Sequence, residues 1–456
     1  MGISSLFSRT RKHPNIVRSG LTRRGFLMSG AAAAAAGAGA LIHNPFMRVA
    51  RADEPGSGRR FVSLYFSGAW DILLGPDARD PGQSYEAIDT GVDRLASPDK
   101  DPLPVMVGGQ EVLWGAPMAG LVRHADVMTL FRGVNMNTVA HPTGKAYMHT
   151  MIPPAGVVAR GDSLGTRFAS AELYDDLLMP NFVIGMPTFN ATMPAELTGI
   201  TVDKALEIRE LVQRRGASGG DQTEALLRAA QDQTRGCVSE HYQGDIPEQL
   251  LGISRDRLRD MLDNSLASAF SYADDPDLLT RYGISNPNSS SDPAVIAATV
   301  WRLLETGMSR TVTAQLQSNL DTHGSNWASA QPARLRAGFD ALASLLDDLR
   351  MEDPNLDSTT VVVYSEFSRT PRINGAGGRD HHFVNSTLVF GGGLRRGVCG
   401  ASTEHSLGLL EIDIASGQPS EGGHVLTPED IGATLVHAAG LDYAPFRVEP
   451  LTPWIA

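Results

Sequence analysis

Short apolar segments alternate with longer amphipathic segments along most of the chain after residue 60. The segment 359–364 is β-branched and apolar throughout, which is typical of a strand buried on both faces of a parallel sheet. The apolar residues that precede it recur at the three-and-four spacing of a helix with one buried face, and they are Phe339, Leu342, Leu345, Leu346 and Leu349. Strands are predicted at Arg60–Phe66, 127–134, 181–185, Thr311–Gln317, 359–364 and 386–390. The alternation predicts an α/β fold of three layers, α/β/α, with helices on both faces of a mainly parallel sheet.

Three other regions change this picture. Residues 75–115 are rich in Asp, Pro and Gly and are predicted to be loop with little regular structure. Residues 202–285 are charged and amphipathic, which indicates a helical insertion or cap whose charges form a solvated face. The C-terminal helix, predicted at 428–439, begins with Thr427 as its cap and Pro428 at its first position. Shorter helices are predicted at 117–124, 162–173 and 294–306, and around His149.

Acidic and histidine side chains follow the predicted strands at the points where those strands end. Ligands of open α/β sheets bind outside the carboxyl ends of the strands, so these side chains mark a candidate site. The candidates are Asp71, the loop 137–141 with Thr138 and His141, Asp321, His323, Glu366, Asp380, His381 and His382. Imidazole together with carboxylate suits Zn, Mn or Fe. Two such ions about 4 Å apart can hold the attacking and leaving oxygens of an ester displacement.

Each of these residues also has a simpler interpretation. Asp71 alone is typical of a turn, and Asp321 with His323 can be a satisfied pair within a loop. Glu366 is harder to explain this way, because a buried carboxylate needs a cation or several hydrogen-bond donors. Arg369 or Arg379 could provide that positive charge without a metal. The two cysteines, Cys237 and Cys399, are interpreted as small buried side chains, although in an exported protein they could pair.

The first 52 residues are predicted to be a twin-arginine signal peptide. Arg23 and Arg24 precede an Ala-rich apolar run at 26–42, and Ala50-Arg51-Ala52 resembles a cleavage site, so the mature chain would begin at Asp53. The alternative is a membrane anchor, for which the run is short. Removing the eight basic residues of the leader takes the formal net charge from −12 to −20. Nucleic acid and anionic lipid are therefore not expected partners.

One block of sequence resembles a known family. The segment TVVVYSEFSRTPRINGAGGRDHHF, followed by FGGGLRRGVCGAS, is similar to the characteristic block of the domain-of-unknown-function-1501 family, whose members are exported and usually carry a twin-arginine leader. The resemblance extends from the leader to the C-terminus. That family in turn resembles the alkaline phosphatase/sulfatase superfamily, and residues 427–440 are similar to the C-terminal helix of many sulfatases. The resemblance implies an alkaline-phosphatase-like fold for residues 53–456.

The same resemblance implies roles for individual residues. The metal ligands would be Asp71, Asp321, His323, Glu366 and His381, with Asp380 beside them. Phe367 stands where the superfamily has a histidine, and the Asp-x-His spacing is shorter than the usual Asp-x-x-x-His. Neither cysteine lies in a C/S-x-P-x-R motif, which argues against a formylglycine sulfatase. Thr138 is the predicted nucleophile, with Thr143 next, and His141 and His149 are candidate ligands, acids or bases. Positive charge for an anionic substrate is predicted from Arg369, Arg372 and Arg379.

The sequence therefore predicts a periplasmic or secreted, metal-dependent hydrolase of phosphate or sulfate esters. The metal is Zn, Mn, Fe or Ca, and the substrate is a small or polymeric ester. The Tat translocon is the expected partner during export, with no stable membrane insertion after cleavage. The alternative is an exported binding or assembly protein that keeps the fold but has lost catalysis.

Overall fold

The computed structural model describes residues 58–172, 179–212 and 266–456. The predicted signal peptide, Cys237 and most of the predicted helical insertion lie outside these residues. The strands are β1 Arg60–Phe66, β2 Leu103–Val107, β3 Gln110–Trp114, β4 Met128–Asn135, β5 Asn181–Ile184, β6 Ile200–Val202, β7 Thr311–Gln317, β8 Thr359–Ser365, β9 Ser368–Arg369, β10 His381–His382, β11 Val384–Gly391 and β12 Gly397–Cys399.

The helices lie between these strands as the alternation predicts. They are α1 His141–Thr150, α2 Leu164–Ala169, α3 Glu207–Val212, α4 Leu266–Ala269, α5 Pro276–Tyr282, α6 Pro293–Glu305, α7 Trp327–Glu352 and α8 Pro428–Ala438. A 3₁₀ helix covers Ala116–Val127, where a short helix was predicted. In α8, Thr427 and Asp430 form a reciprocal capping box, which satisfies two amides at the helix start. No helix in these ranges combines the length and the apolar character needed to cross a bilayer.

The central sheet has eight strands in the order β12-β4-β11-β8-β1-β7-β5-β6. Every neighbouring pair is parallel except the two that involve β11, which runs antiparallel to β4 and to β8. The predicted α/β fold with a mainly parallel sheet is therefore confirmed. Because β11 is reversed, its first residue, Val384, lies opposite Asn135 at the end of β4. The segment that enters β11 thus reaches the same edge as the carboxyl ends of the parallel strands.

Alternate residues of the buried strands face two hydrophobic cores. In β1, Val62, Leu64 and Phe66 belong to the core that includes α6 and α7, whereas Phe61 and Tyr65 belong to the core that includes α1, α2 and α8. This alternation follows from the period of two along a strand. The layers are therefore helix, sheet and helix, as predicted.

The prediction of little regular structure for residues 75–115 is wrong. Strands β2 and β3 form an antiparallel hairpin joined by Gly108-Gly109, and both glycines have positive φ, 56° and 86°. Two adjacent residues of this conformation form the tight turn that suits the twist of a hairpin, and Gly-Gly is one of its sequences. The buried residues Val105, Val107, Val112 and Trp114 alternate along the two strands.

Candidate metal centre

The sheet topology brings distant loops to one edge. Strand β1 lies between β7 and β8, with Phe66 opposite Gln317 on one side and Ser365 on the other. The loops that follow these three strands are therefore adjacent, although the loop after β1 is about 250 residues or more from the other two in the sequence. Strand β4 leads into the loop before α1, and the small ladder of β9 with β10 pairs His381 with Arg369. The predicted site residues thus come from five connections that meet at one edge.

Three imidazole rings converge on one carboxylate oxygen. The Nε2 atoms of His141, His323 and His381 lie 3.5, 3.0 and 3.3 Å from Oδ1 of Asp321. Ligand atoms of His141, Asp321 and His381 all lie within 4.8 Å of one another. The Nε2 atoms of His323 and His381 are 3.0 Å apart, which is too close for two lone pairs without a proton or a cation between them. Asp321, His323 and His381 were predicted from the sequence as metal ligands, and His141 was predicted as a ligand, acid or base.

The other nitrogen of each ring is held by an oxygen that can only accept a hydrogen bond. Nδ1 of His141 lies 2.6 Å from Glu366 Oε1, and Nδ1 of His323 lies 2.7 Å from Asp380 Oδ1. Nδ1 of His381 lies 2.8 Å from the carbonyl oxygen of Val139. These acceptors place the proton of each neutral ring on Nδ1 and leave the Nε2 lone pair free to bind a metal.

This donor set fits a divalent cation. Nε2 of His141 is buried and has no hydrogen-bond partner, although it points toward the Asp321 carboxylate. Three imidazole nitrogens and one carboxylate oxygen form a combination that suits Zn, Mn or Fe, whereas Ca binds oxygen ligands. In metalloproteins, a hydrogen-bond acceptor on the second nitrogen of a histidine ligand fixes the orientation of its ring, and each of these three rings has one.

Glu366 and Asp380 lie behind the histidines rather than in the cluster. Glu366 is 1% exposed, and it accepts hydrogen bonds from the amide of Gly68 at 2.9 Å and the hydroxyl of Ser365 at 2.9 Å, besides its contact with His141. Burial alone would raise the pKa of Glu366, but the hydrogen bond with His141 and other donors lower it below the usual value. Both carboxylates were predicted as direct ligands. The structure places each one on an Nδ1 atom, where it orients a ligand.

Asp71 does not join the cluster. Its side chain is completely buried, with Oδ2 2.8 Å from the indole nitrogen of Trp327 and 2.9 Å from Nε of Arg379. Its other oxygen accepts a hydrogen bond from the amide of Leu73 at 3.0 Å, which caps a short 3₁₀ helix. The predicted metal ligand is therefore a structural carboxylate that is neutralised by an arginine.

Arg369 is fully buried and holds the loops of this edge together. It donates to the carbonyl oxygens of Ala69 and Leu320, at 3.0 and 3.1 Å, and to Asp321 Oδ1 at 2.5 Å. It also donates to the carbonyls of Gly68 and Arg379. Burial would raise the pKa of Asp321, but the hydrogen bond and charge of Arg369 hold it well below its usual range. Arg369, which was predicted to be catalytic, therefore acts in the structure by positioning Asp321.

The remaining candidates make their hydrogen bonds with residues other than the four converging groups. The hydroxyl of Thr138 accepts a hydrogen bond from the amide of Ala140 at 3.2 Å, which is a local turn contact. His382 lies with Nε2 3.0 Å from the carbonyl of Leu407. His149 is buried, its Nδ1 lies 3.3 Å from the hydroxyl of Tyr364, and burial lowers its pKa to about 3.

Phe367 has a role that the sequence analysis did not predict. Its buried ring lies 4.8 Å from the ring of His141 and 4.7 Å from that of His381, measured between centroids. It therefore forms an apolar wall against two of the candidate ligands. The signal in the sequence was its place directly after Glu366, but the contacts arise only when α1 and β10 meet over that position.

Residues 83–452 match the family model described as a protein of unknown function, DUF1501. The chain belongs to the DUF1501 family. The family predicted from the sequence is thus confirmed. No curated protein matches this DUF1501 member in sequence.

Several solved structures are similar to this DUF1501 protein at low identity. The crystal structure of Ps i-CgsB in complex with k-i-k-neocarrahexaose has 8% identity and a TM-score of 0.33, covering 86% of this chain and 75% of that chain. A Bacteroides thetaiotaomicron structure, from a study of the metabolism of multiple glycosaminoglycans, has 10% identity and a TM-score of 0.35, covering 87% and 76%. TM-scores this low do not establish a shared fold, so the fold of the DUF1501 protein rests on its own sheet topology.

Proposed function

We propose that this protein is a metal-dependent hydrolase of phosphate or sulfate esters. The observation that carries the proposal is the convergence of three imidazole Nε2 atoms on Oδ1 of Asp321, at the edge of the sheet where α/β proteins bind ligands. Because Asp71, Glu366 and Asp380 are engaged elsewhere, the proposal is for one ion per chain, held by His141, Asp321, His323 and His381.

A divalent ion held there would polarise an ester oxygen and stabilise the negative charge that develops on it. The chain's own residues prepare the site for this role. The Nδ1 acceptors hold the three rings with their Nε2 atoms turned toward one point, and Arg369 fixes the carboxylate oxygen of Asp321. Groups held in place before the reaction need no reorganisation during it, which is the main requirement for electrostatic catalysis.

Elemental analysis of the purified protein tests the proposal, with two neighbouring histidines as a matched pair. His381 lies in the cluster, whereas His382 contacts the carbonyl of Leu407. We expect close to one Zn, Mn or Fe per wild-type chain, the same in His382→Ala, and loss of most of it in His381→Ala. Hydrolysis of chromogenic aryl phosphates and sulfates should follow the metal content. A wild-type protein without metal, or two variants with equal metal, would contradict the proposal.

A second function, a metal-binding protein without catalysis, is favoured by one observation. The predicted nucleophile, Thr138, has its hydroxyl engaged by the amide of Ala140. Ester hydrolysis by the metal-loaded protein distinguishes the two functions. A protein that binds a full equivalent of metal and hydrolyses none of the esters would favour a binding or assembly role.

We also propose export by the twin-arginine route, on the sequence of residues 1–52. The test is N-terminal sequencing of the protein recovered from the cell envelope or medium, which should begin at Asp53. Replacement of Arg23 and Arg24 by lysine should leave the protein uncleaved in the cytoplasm.

A further inference from the structure

The arginines near the metal centre are not free to bind a substrate anion. Arg369 donates to four carbonyl oxygens and to Asp321, and Arg379 pairs with Asp71 and donates to the carbonyls of three further residues. Arg372 donates to the carbonyls of Glu86 and Ala87. These three arginines were predicted from the sequence to provide positive charge for an anionic ester. In the structure their donors are used to hold loops together.

Lys145 is a cation of a different kind. It lies four residues after His141 on α1, a spacing that places two side chains on the same helix face, with Cβ atoms about 5–6 Å apart. Its ammonium lies 5.4 Å from the ring centroid of Tyr65 and makes no hydrogen bond or ion pair with any residue that the structure describes. Burial lowers the pKa of Lys145, and the negative charge of Glu366, which would raise this pKa, only partly offsets the effect.

The surroundings of Lys145 favour an anion at this position. Lys145 is half-buried, and among the described residues its ammonium contacts the face of the Tyr65 ring but no hydrogen-bond acceptor, so it can accept an anion as a partner. Glu366, whose negative charge acts on Lys145, already accepts hydrogen bonds from His141, Gly68 and Ser365. The flexible four-carbon stem of lysine can direct the ammonium toward the rim of the site beside His141.

We propose that Lys145 binds the negatively charged phosphate or sulfate group of the substrate at the metal centre. This inference rests on the proposed function and adds the residue that recognises the anion. It also explains how a mature chain with a formal net charge of −20 would attract an anionic ester, because the metal and one uncommitted lysine would make the site locally positive.

The inference is tested by isothermal titration calorimetry. Inorganic phosphate and sulfate are titrated separately into the mature protein, residues 53–456. Lys145→Met keeps the length of the side chain and removes its charge, Lys145→Arg keeps the charge, and Lys100→Met removes the charge of an exposed lysine as the control. We expect Lys145→Met to weaken anion binding about tenfold or more, as the loss of one charge-assisted hydrogen bond does. Lys145→Arg should retain most of the affinity, and Lys100→Met all of it.

Metal content and melting temperature are measured on the same samples. Unchanged anion binding in Lys145→Met, or no binding of either anion by the wild type, would overturn the role of Lys145. A wild type without metal that still binds the anions through Lys145 would overturn the proposed function and leave only the anion contact of Lys145 standing. The failure of one proposal is therefore distinguishable from the failure of the other.

Discussion

At the scale of single residues, the buried carboxylate of Glu366 is the most informative group. An ionised carboxylate in an apolar interior is costly unless donors surround it, and Glu366 has three of them: His141, Gly68 and Ser365. One of these donors is the Nδ1 of a candidate metal ligand. The contact that offsets the burial of Glu366 is therefore the contact that orients His141 toward the candidate metal centre.

We predict that Glu366→Gln weakens metal binding by about ten- to a hundredfold, which is the usual effect of losing a group that orients a ligand. The amide keeps the shape of the side chain but loses its charge and one acceptor. The measurement is competition with a chelating dye. Asp380→Asn, which changes the exposed acceptor of His323, is the comparison and should have a smaller effect because Asp380 is solvent-accessible. Equal affinity of Glu366→Gln and wild type would contradict the role of Glu366.

The identities of the candidate site residues could be predicted from the sequence, but their division into roles could not. Asp321, His323 and His381 were expected as ligands because they follow strands, and they do lie together. Asp71 met the same criterion, yet it pairs with Arg379, more than 300 residues away in the chain. A sequence pattern shows which side chains reach an edge, but not which of them an arginine neutralises there.

At the scale of elements, long apolar runs were easier to predict than short alternating ones. Strands β1 and β7 have the predicted bounds, and β8 is one residue longer, because each is buried along all or nearly all of its length. The β2–β3 hairpin was missed because five-residue strands within a segment rich in Asp, Pro and Gly give a weak period of two. The Gly-Gly turn was the signal that could have revealed it.

The hairpin provides a matched pair of substitutions. A Cβ on Gly108 would lie 2.3 Å from the carbonyl oxygen of Arg396, whereas a Cβ on Gly109 would have nothing within 4 Å. We predict that Gly109→Ala costs about 1 kcal/mol, which is the cost of positive φ alone. Gly108→Ala should cost about 3 kcal/mol or more, because backbone next to β12 must move. Urea denaturation measures both, and equal losses would show that the turn is not packed against β12.

At the scale of the whole molecule, buried histidines make stability depend on pH. Burial lowers the pKa of His149 from 6.5 to about 3, with a further contribution from the charge of Lys145. Between pH 6.5 and about pH 3, the unfolded chain binds more protons at His149 than the folded chain does. The free energy of unfolding therefore decreases as the pH falls through this range. His124 acts in the same direction, because burial lowers its pKa to about 4.

We predict that His149→Gln flattens the decrease in melting temperature between about pH 6.5 and pH 4, whatever its effect at neutral pH. The scans are made with a chelator present, so that loss of metal in acid does not contribute. His405→Gln, at an exposed histidine, is the control and should keep the wild-type slope. An unchanged slope in His149→Gln would mean that other groups cause the acid sensitivity.

The reversed strand β11 has a consequence for how this site can change. The segment 366–383 leaves the sheet after β8 and returns to the same edge, because β11 runs antiparallel to its neighbour. It carries Glu366, Phe367, Arg369, Asp380 and His381 without crossing either helical layer. None of its residues belongs to the eight-stranded sheet, because β9 and β10 form a separate two-stranded ladder. Transplanting this stretch alone between relatives would separate Glu366 from His141 and Arg379 from Asp71, so the loops that follow β1 and β4 must be exchanged together with it.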